Sequence, residues 1–412
     1  MTFHGENNGD RSRGMKKIPF SPPDITSAEI NEVVAALKSG WITTGPRTKE
    51  LERITAARCH TAKAVCLNSN TACAEMTLRL LGVGPGDEVI VPAYTYTATA
   101  SVVEHVGAKI VMIDCEPGKF TIDYDKLEAA ITEKTKVIIP VDLFGIPADY
   151  DRIIDIAEKK RPLFFPSDNH IQRALGRAII MGDAAHSFGA SYKGKPIGSV
   201  ADFTNFSFHA VKNLTTAEGG AATWRDIEGV DNEQLYRRYM LLSLHGQSKD
   251  ALAKTKLGTW EYDIAGLWYK CNMTDLHAAV GLAQIKRYDA LLARRRKIIE
   301  RLDAALASLP VETLRHYTKE YSSSGHLYIM RLKGRNDKER DGFITKMAEL
   351  GVATNVHYKP LPLHTGYRKL GFDIADYPYA YEQFRNEVTL PLHTSLTDED
   401  VDYVIECVRK CL

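Results

Sequence analysis

The chain has 412 residues and a formal net charge of +1, because 53 lysine and arginine residues balance 52 aspartate and glutamate residues. This length allows two or three domains, and a content of 44% hydrophobic and 25% charged residues is typical of a globular protein. The balanced charge gives no sign of a nucleic-acid partner, and no apolar run reaches the roughly 18 residues that span a bilayer. Seven cysteines without a CxxC pair indicate reduced thiols. We therefore expect a cytoplasmic protein that has no metal site and is not inserted in a membrane.

The predicted elements begin after a polar N-terminal segment, residues 1–17, which we expect to be a flexible tail. Helical spacing follows at 27–38 and ends at Gly40. Short β-rich runs then alternate with helical stretches, and these runs are 64–67, 88–92, 109–114, 136–145, 178–183, 202–208 and 219–224. Such alternation predicts an α/β fold with a mainly parallel sheet and helices on both faces. Active sites of these sheets gather beyond the carboxyl ends of the strands.

Two further segments bear on the predicted domains. Residues 161–177 interrupt the alternation, and we interpret them as a surface insertion with a short helix. The chain is strongly helical from 275 to about 308, and its basic run at 293–297 is interpreted as a solvated helix face, not as a nucleic-acid patch. We therefore predict a large domain over 18–285, and a linking helix with a smaller α+β domain over 286–412.

The segment 182–220 carries the most informative residues. Asp183 ends one predicted strand, and Lys212 follows another 29 residues later. A carboxylate and an amine at neighbouring strand ends suit pyridoxal phosphate, which needs a lysine for its Schiff base and a carboxylate beside its ring nitrogen. Neither a P-loop nor a GxGxxG motif is present. Taken singly, Asp183 is equally well explained as a helix-cap or turn residue. Lys212 taken singly is equally well explained as an ordinary surface lysine.

A phosphate cradle is suggested by the sequence NSNTACAE at 68–75, where a β-rich run ends and a helix begins. The first amides of such a helix point outward and can bind a phosphate. Thr71 and Ala72 would donate those amides. An ordinary asparagine or threonine helix cap explains the same residues equally well.

These motifs together resemble the sugar aminotransferases of the DegT/StrS family, which are fold-type-I pyridoxal phosphate enzymes. The resemblance extends over residues 18 to 408. It implies a large domain with a mainly parallel seven-stranded sheet and a smaller C-terminal α+β domain. The matching motifs are SGWITTGP at 39–46, NSNTACAE at 68–75, GDEVIVPAYTYTATA at 86–100, DAAHSFGA at 183–190, FSFHAVKNLTTAEGG at 206–220 and YKCNMTDLHAAVGLAQ at 269–284.

The resemblance implies a role for each matching residue. Lys212 takes the place of the Schiff-base lysine, Asp183 that of the ring-nitrogen partner, and both are the implied catalytic residues. His186 stands where a side chain reaches the phenolic oxygen of the cofactor, and Tyr96 where an aromatic ring stacks on it. The remaining implied cofactor-binding residues are Asn70, Thr71, Ala72, Ser207, His209 and Asn272. Asn272 would reach the cofactor of the neighbouring subunit, with Lys270 as the alternative.

The implied reaction moves an amino group from L-glutamate to a keto-sugar on a nucleotide diphosphate, and the enzyme would be a homodimer with shared sites. The similarity favours UDP-linked 4-keto sugars used in cell-surface polysaccharide synthesis, such as that of lipopolysaccharide. The implied substrate-binding residues are Trp41, Thr43, Thr44, His357 and Tyr358. A turn or packing role explains these five equally well. A pyridoxal phosphate dehydratase or lyase and a non-catalytic regulatory protein are the alternatives, but the presence of Lys212 favours transamination.

Overall fold

The structure is a computed structural model that describes residues 16–248 and 261–412. Most of the predicted tail, residues 1–15, therefore lies outside the described residues. The α-helices are α1 (Ser27–Lys38), α2 (Pro46–Cys59), α3 (Asn70–Leu80), α4 (Ala98–His105), α5 (Tyr124–Ala130), α6 (Tyr150–Lys159), α7 (His170–Leu175), α8 (Asn232–Ser243), α9 (Asp275–Lys286), α10 (Tyr288–Leu306), α11 (Asp337–Glu349), α12 (Thr365–Lys369), α13 (Pro378–Arg385) and α14 (Asp398–Cys411). The strands are β1 (Ala64–Leu67), β2 (Glu88–Pro92), β3 (Lys109–Ile113), β4 (Thr135–Ile138), β5 (Ile179–Asp183), β6 (Ser191–Tyr192), β7 (Lys195–Pro196), β8 (Phe203–Ser207), β9 (Gly220–Trp224), β10 (Val311–Thr313), β11 (Tyr321–Ser322), β12 (Tyr328–Leu332) and β13 (Glu387–Leu390).

A seven-stranded sheet in the order β1-β9-β8-β5-β4-β2-β3 forms the centre of the large domain. Its strands run in one direction except β9, which is antiparallel to both β1 and β8. Along β2, Val89 and Val91 face one core, while Ile90 faces the other. A strand buried on both faces in this way is apolar throughout, which explains the continuous hydrophobic runs in the sequence. The predicted α/β fold class is confirmed.

A second sheet, β10-β12-β13, is antiparallel and belongs to the C-terminal part of the chain. Helices α10, α11 and α14 contribute to its core, which includes Ile298, Phe343 and Val404. We call the chain from α10 to the C-terminus the small domain. Near the N-terminus, Ile18 joins this core and its amide donates a hydrogen bond to the carbonyl of Gly351 (2.8 Å).

The helical stretch predicted over 275–308 is two helices separated by a break at Arg287. This residue has a φ of −112° and a ψ of 7°, which is not a helical conformation. Its guanidinium donates to Glu29 Oε1 (3.0 Å) and Asp24 Oδ1 (3.0 Å), at the N-terminal end of α1. The break lets α9 pack against the large domain while α10 enters the core of the small domain.

The 161–177 segment forms the short helix α7 and attaches to the C-terminal end of α3. Gln172 Nε2 donates to the carbonyl of Leu81 (2.7 Å), and Asn169 Nδ2 donates to that of Leu80 (3.0 Å). Phe165 is 62% exposed. Because α3 spans 11 residues, or roughly 16 Å, the segment lies far from the N-terminus of that helix.

Two further observations concern membrane-spanning helices and the state of the cysteines. No helix in residues 16–248 and 261–412 is long and apolar enough to cross a membrane. All seven cysteines are described and are free thiols, and six of them are buried.

Candidate active site

A cavity of about 510 Å³ lies at the carboxyl edge of the large sheet. The ends of β5 and β8, the N-terminus of α3 and residues of the small domain surround it. The predicted site residues that line it are Asn70, Thr71, Tyr96, Asp183, His186, Ser207, His209, Lys212, His357 and Tyr358.

Asp183 is the last residue of β5 and is buried at the bottom of this cavity. Its Oδ2 accepts from Thr99 Oγ1 (2.7 Å), and its Oδ1 accepts from Asn70 Nδ2 (3.1 Å) and the Ala185 amide (3.2 Å). Burial raises the pKa of Asp183, and these three hydrogen bonds oppose that change. The fixed carboxyl group is placed to bind a cationic N–H group.

Lys212 follows β8 in a turn in which its amide donates to the carbonyl of His209 (2.9 Å). Burial lowers the pKa of Lys212 to about 8, because the charged amine loses solvation, while the nearby Asp183 opposes this change. The next residue, Asn213, fixes the turn to the small domain. Its Nδ2 donates to the carbonyl of Ser324 (2.8 Å), and its Oδ1 lies 2.9 Å from His326 Nδ1.

The N-terminus of α3 forms the wall of the cavity beside β8. Ser69 is the N-cap, and its hydroxyl accepts from the Ala72 amide (3.0 Å). Ala72 is not among the described residues that line the cavity, and the contact of its amide with a phosphate stays a prediction. Ser69, Thr71 and Ser207 all line it and present hydroxyl groups. Gly220 permits this arrangement, since a Cβ atom there would lie 2.5 Å from the backbone nitrogen of Asn70.

His186 connects the strand ends to the small domain. The Phe144 amide donates to His186 Nδ1 (3.1 Å), so a neutral His186 carries its proton on Nε2. That nitrogen lies 3.0 Å from Tyr358 Oη and therefore donates to it. Burial lowers the pKa of His186 well below its ordinary value, which keeps the ring neutral. Tyr96, which is 58% exposed, lies with its ring 5.8 Å from that of Tyr358 at the cavity rim.

Four predicted site residues lie together outside this cavity: Trp41, Thr43, Thr44 and Asn272. Asn272 Nδ2 donates to Thr44 Oγ1 (2.5 Å), and the Thr43 carbonyl accepts from the amide of Asp275 (3.1 Å). Trp41 Nε1 donates to the carbonyl of Thr44 (3.1 Å). None of these four residues lines the cavity of the same chain.

The alternative residue for the partner contact, Lys270, is part of this cluster. Its Nζ donates a hydrogen bond to Asn272 Oδ1. Both side chains therefore lie in the same cluster. Which of them would contact a neighbouring subunit stays a prediction.

Several residues that line the cavity were missed from the sequence. His326 and Asn355 come from the small domain, and Phe20 comes from the N-terminal segment. All three lie outside the six motifs that match the family, so only the fold brings them to the cavity. Ser69 and Glu218 also line the cavity, and their positions inside the matching motifs could have identified them.

The residues present fit pyridoxal phosphate. An amine at Lys212, a carboxyl group at Asp183 and the hydroxyl-bearing terminus of α3 face one cavity, which supplies the three features that the cofactor requires. The described residues contain no group of three histidine, cysteine or acidic side chains that could hold a metal ion.

Comparison with known proteins shows the family of the chain. The profile of the DegT/DnrJ/EryC1/StrS aminotransferase family matches residues 23–409. The spore coat polysaccharide biosynthesis protein SpsC of Bacillus subtilis (strain 168) is 37% identical over 396 residues, which is 95% of this chain and 96% of that protein.

Solved structures extend the similarity to the fold. Spr1654 of Streptococcus pneumoniae, named as a sugar aminotransferase and solved in a PLP form, is 56% identical with a TM-score of 0.93, covering 96% of this chain and 100% of that one. Helicobacter pylori PseC, an aminotransferase of pseudoaminic acid biosynthesis, is 25% identical with a TM-score of 0.84, covering 96% and 99%. The predicted cofactor and transaminase class are confirmed. The chain belongs to the DegT/DnrJ/EryC1/StrS family and is a pyridoxal-phosphate-dependent sugar aminotransferase.

Proposed function

We propose that this enzyme transfers an amino group from L-glutamate to a keto-sugar carried on a nucleotide diphosphate, with a UDP-linked 4-keto sugar as the preferred acceptor. The observation that carries the proposal is that Lys212, Asp183 and the N-terminus of α3 face one cavity beside a polar wall of the small domain. The name of SpsC supports a role in polysaccharide biosynthesis. The cytoplasm, where we propose that the enzyme acts, supplies both glutamate and nucleotide sugars.

The residues of the site have separate roles in the proposed reaction. When bound, pyridoxal phosphate carries the amino group between the two substrates and withdraws electrons from the carbon that loses a proton. With a pKa of about 8, the Lys212 amine is partly neutral near pH 7 and can accept and return that proton. Asp183 would hold the protonated ring nitrogen through its buried carboxyl group. Ser69, Thr71 and Ser207 offer hydroxyl groups to the phosphate.

We propose further that the active unit is a homodimer in which each chain completes the site of the other. Trp41, Thr43, Thr44 and Asn272 carry the family motifs but lie outside the cavity of their own chain. Beside them, α1 presents an exposed apolar row of Ile30, Val34 and Leu37 at helical spacing. An exposed row of this kind suits burial against a second copy of the chain. The same symmetric contact would place each cluster at the neighbouring cavity.

A panel of nucleotide-linked keto-sugars tests the function. Each sugar is incubated with the purified enzyme, pyridoxal phosphate and L-glutamate, and the amino-sugar and 2-oxoglutarate are measured by mass spectrometry. We expect equal amounts of the two products with at least one UDP-linked 4-keto sugar. Lys212→Ala protein is the control and should form neither. Turnover with another amino donor, or with sugars lacking the nucleotide, would contradict the proposal.

A further inference from the structure

Glu387 and Thr389 are buried on one face of β13, and both contact the segment that brings His357 to the cavity. Thr389 Oγ1 donates to Glu387 Oε1 (2.5 Å), and the His357 backbone amide donates to Oε2 of the same carboxyl group (2.9 Å). Thr389 Oγ1 also lies 3.0 Å from His357 Nδ1. Backbone hydrogen bonds between Asn355 and Thr389 hold the segment against the strand. A continuous hydrogen-bonded chain thus connects a buried carboxyl group to an imidazole in the site.

The number of protons on each group fixes the direction of these bonds. A threonine hydroxyl has one proton, and a neutral imidazole has one N–H. When Glu387 is ionised, Thr389 donates to it and accepts from His357 Nδ1–H, so Nε2 has no proton. When Glu387 is protonated, the proton lies on Oε1, because Oε2 already accepts from the His357 amide. Oε1–H then donates to Thr389, Thr389 donates to Nδ1, and Nε2 carries the proton of the ring.

We propose that Glu387 and Thr389 are positioning residues that decide whether His357 offers a hydrogen-bond donor or an acceptor to the ligand in the cavity. His357 lines the cavity, and because Nδ1 is occupied by Thr389, Nε2 is the ring nitrogen left for a ligand. The two protonation states of Glu387 therefore present two different groups to a ligand oxygen. This proposal does not depend on which sugar or amino donor the enzyme uses.

The groups around Glu387 allow its carboxyl group to gain or lose a proton close to neutral pH. Burial raises the pKa of Glu387 to about 8, although its hydrogen bonds oppose the change. Among the described residues, the other charged and titratable groups that face it are Arg340, Tyr94 and Tyr358. Arg340 Nη1 donates to the backbone carbonyl of Glu387 (3.4 Å), and no ion pair with the carboxyl group forms in the described residues. His357 stays neutral throughout, because burial lowers its pKa to about 4.

The experiment is NMR of the whole protein with ¹⁵N-labelled histidine, which distinguishes the two neutral tautomers of an imidazole. The signal of His357 is assigned by its loss in His357→Gln protein. Spectra are recorded about two pH units below and above the pKa of Glu387. In the wild type we expect the proton on Nε2 at the lower pH and on Nδ1 at the higher pH.

Three variants separate this role from a merely structural one. Glu387→Gln should hold the proton on Nε2 at both pH values, because its amide nitrogen donates to Thr389 and its oxygen accepts from the His357 amide. Thr389→Val should abolish the change of tautomer, whereas Thr389→Ser should keep it. If Glu387→Gln does not fold, the comparison of Thr389→Val with Thr389→Ser still tests the proposal. One unchanged tautomer in the wild type, or equal behaviour of the valine and serine variants, would overturn the proposal.

Discussion

Asn70 Nδ2 and Asp183 Oδ1 are joined by a hydrogen bond of 3.1 Å, which links the first residue of α3 to the last residue of β5. The group that would hold the cofactor phosphate and the group that would hold its ring nitrogen are thus fixed to each other. Asn70 is buried, so water does not compete for this bond. A change at either residue should therefore affect both ends of the cofactor.

We expect Asp183→Asn to retain the cofactor and to lose most of its activity. An amide has nearly the shape of the carboxyl group but cannot neutralise a ring cation. Loss of a buried charge partner costs about 3–5 kcal/mol, which is roughly 10²–10⁴ in kcat when all of it falls on the transition state. Steady-state kinetics measure the effect. Asp142→Asn is the control: this carboxyl group is also buried but is not among the residues that line the cavity, so the variant should stay close to wild type. A similar loss in both variants would contradict the assignment.

Lys212→Ala should fold normally and bind the cofactor without a covalent bond. Among the described residues that line the cavity Lys212 is the only lysine, so we expect no other amine to replace it. Borohydride reduction followed by intact-mass measurement should add the cofactor mass to the wild type but not to the variant. Lys338→Ala removes an exposed amine of α11 and should behave as the wild type. Covalent addition to the Lys212→Ala protein would assign the bond to a different lysine.

Gly220→Ala should weaken cofactor binding by moving the N-terminus of α3. The new methyl group would lie 2.5 Å from Asn70 N and 2.7 Å from the Phe206 carbonyl oxygen, so backbone atoms must shift. Overpacking of this kind costs about 1–3 kcal/mol, and we expect the Kd for pyridoxal phosphate to rise about tenfold or more. Fluorescence titration with pyridoxal phosphate measures this Kd. Gly342→Ala, on α11 with open space around it, should leave the Kd unchanged and stabilise its helix.

Mixing two inactive variants tests the shared site. Asn272→Ala protein keeps a working Lys212, and Lys212→Ala protein keeps a working Asn272, so a hybrid dimer has one complete site. Random pairing after joint refolding should restore about a quarter of the wild-type activity. Light scattering should give about twice the chain mass of 45.9 kDa. A fully active monomer, or mixed protein without restored activity, would contradict the proposed exchange.

Glu387 should make the protein less stable as the pH rises. Its pKa in the folded protein, about 8, lies above the ordinary value of 4.5, so its contribution is complete below 4.5 and is lost as the pH rises to about 8. The slope for one such group is at most about 1.4 kcal/mol per pH unit. Urea unfolding at a series of pH values should show a flatter dependence in Glu387→Gln. Glu382→Gln, at an exposed position of α13, should leave the slope unchanged.

Local sequence patterns predicted the strands and helices of the large domain well, because strands buried on both faces are uniformly apolar. The helix α2 was missed for a physical reason. Its buried face mixes the polar residues Thr48, Glu52 and Thr55 with Leu51, Ala56 and Cys59, so its apolar periodicity is weak. Helix α8 and the strands of the short β6–β7 hairpin were likewise not predicted.

Parts of the site that depend on distant segments could not be predicted from local patterns. His326 and Asn355 reach the cavity only because the small domain packs against the sheet edge. The N-terminus of α3 was located from the sequence, but the hydrogen bond from the Ala72 amide to the Ser69 hydroxyl was not predicted. In the proposed homodimer Trp41 and Asn272 serve the cavity of a second chain, which the family resemblance implies and the fold of one chain does not show.

The attachment of Asn213 to the small domain determines how ligands can reach the site. Asn213 directly follows Lys212 and hydrogen-bonds to Ser324 and His326, so a movement of the small domain away from the sheet would have to break these bonds or displace the Lys212 amine. We therefore expect a fixed wall on that side of the cavity instead of a hinged lid. Substrates would pass in and out across the rim marked by the exposed rings and methyl groups of Tyr96 and Val211.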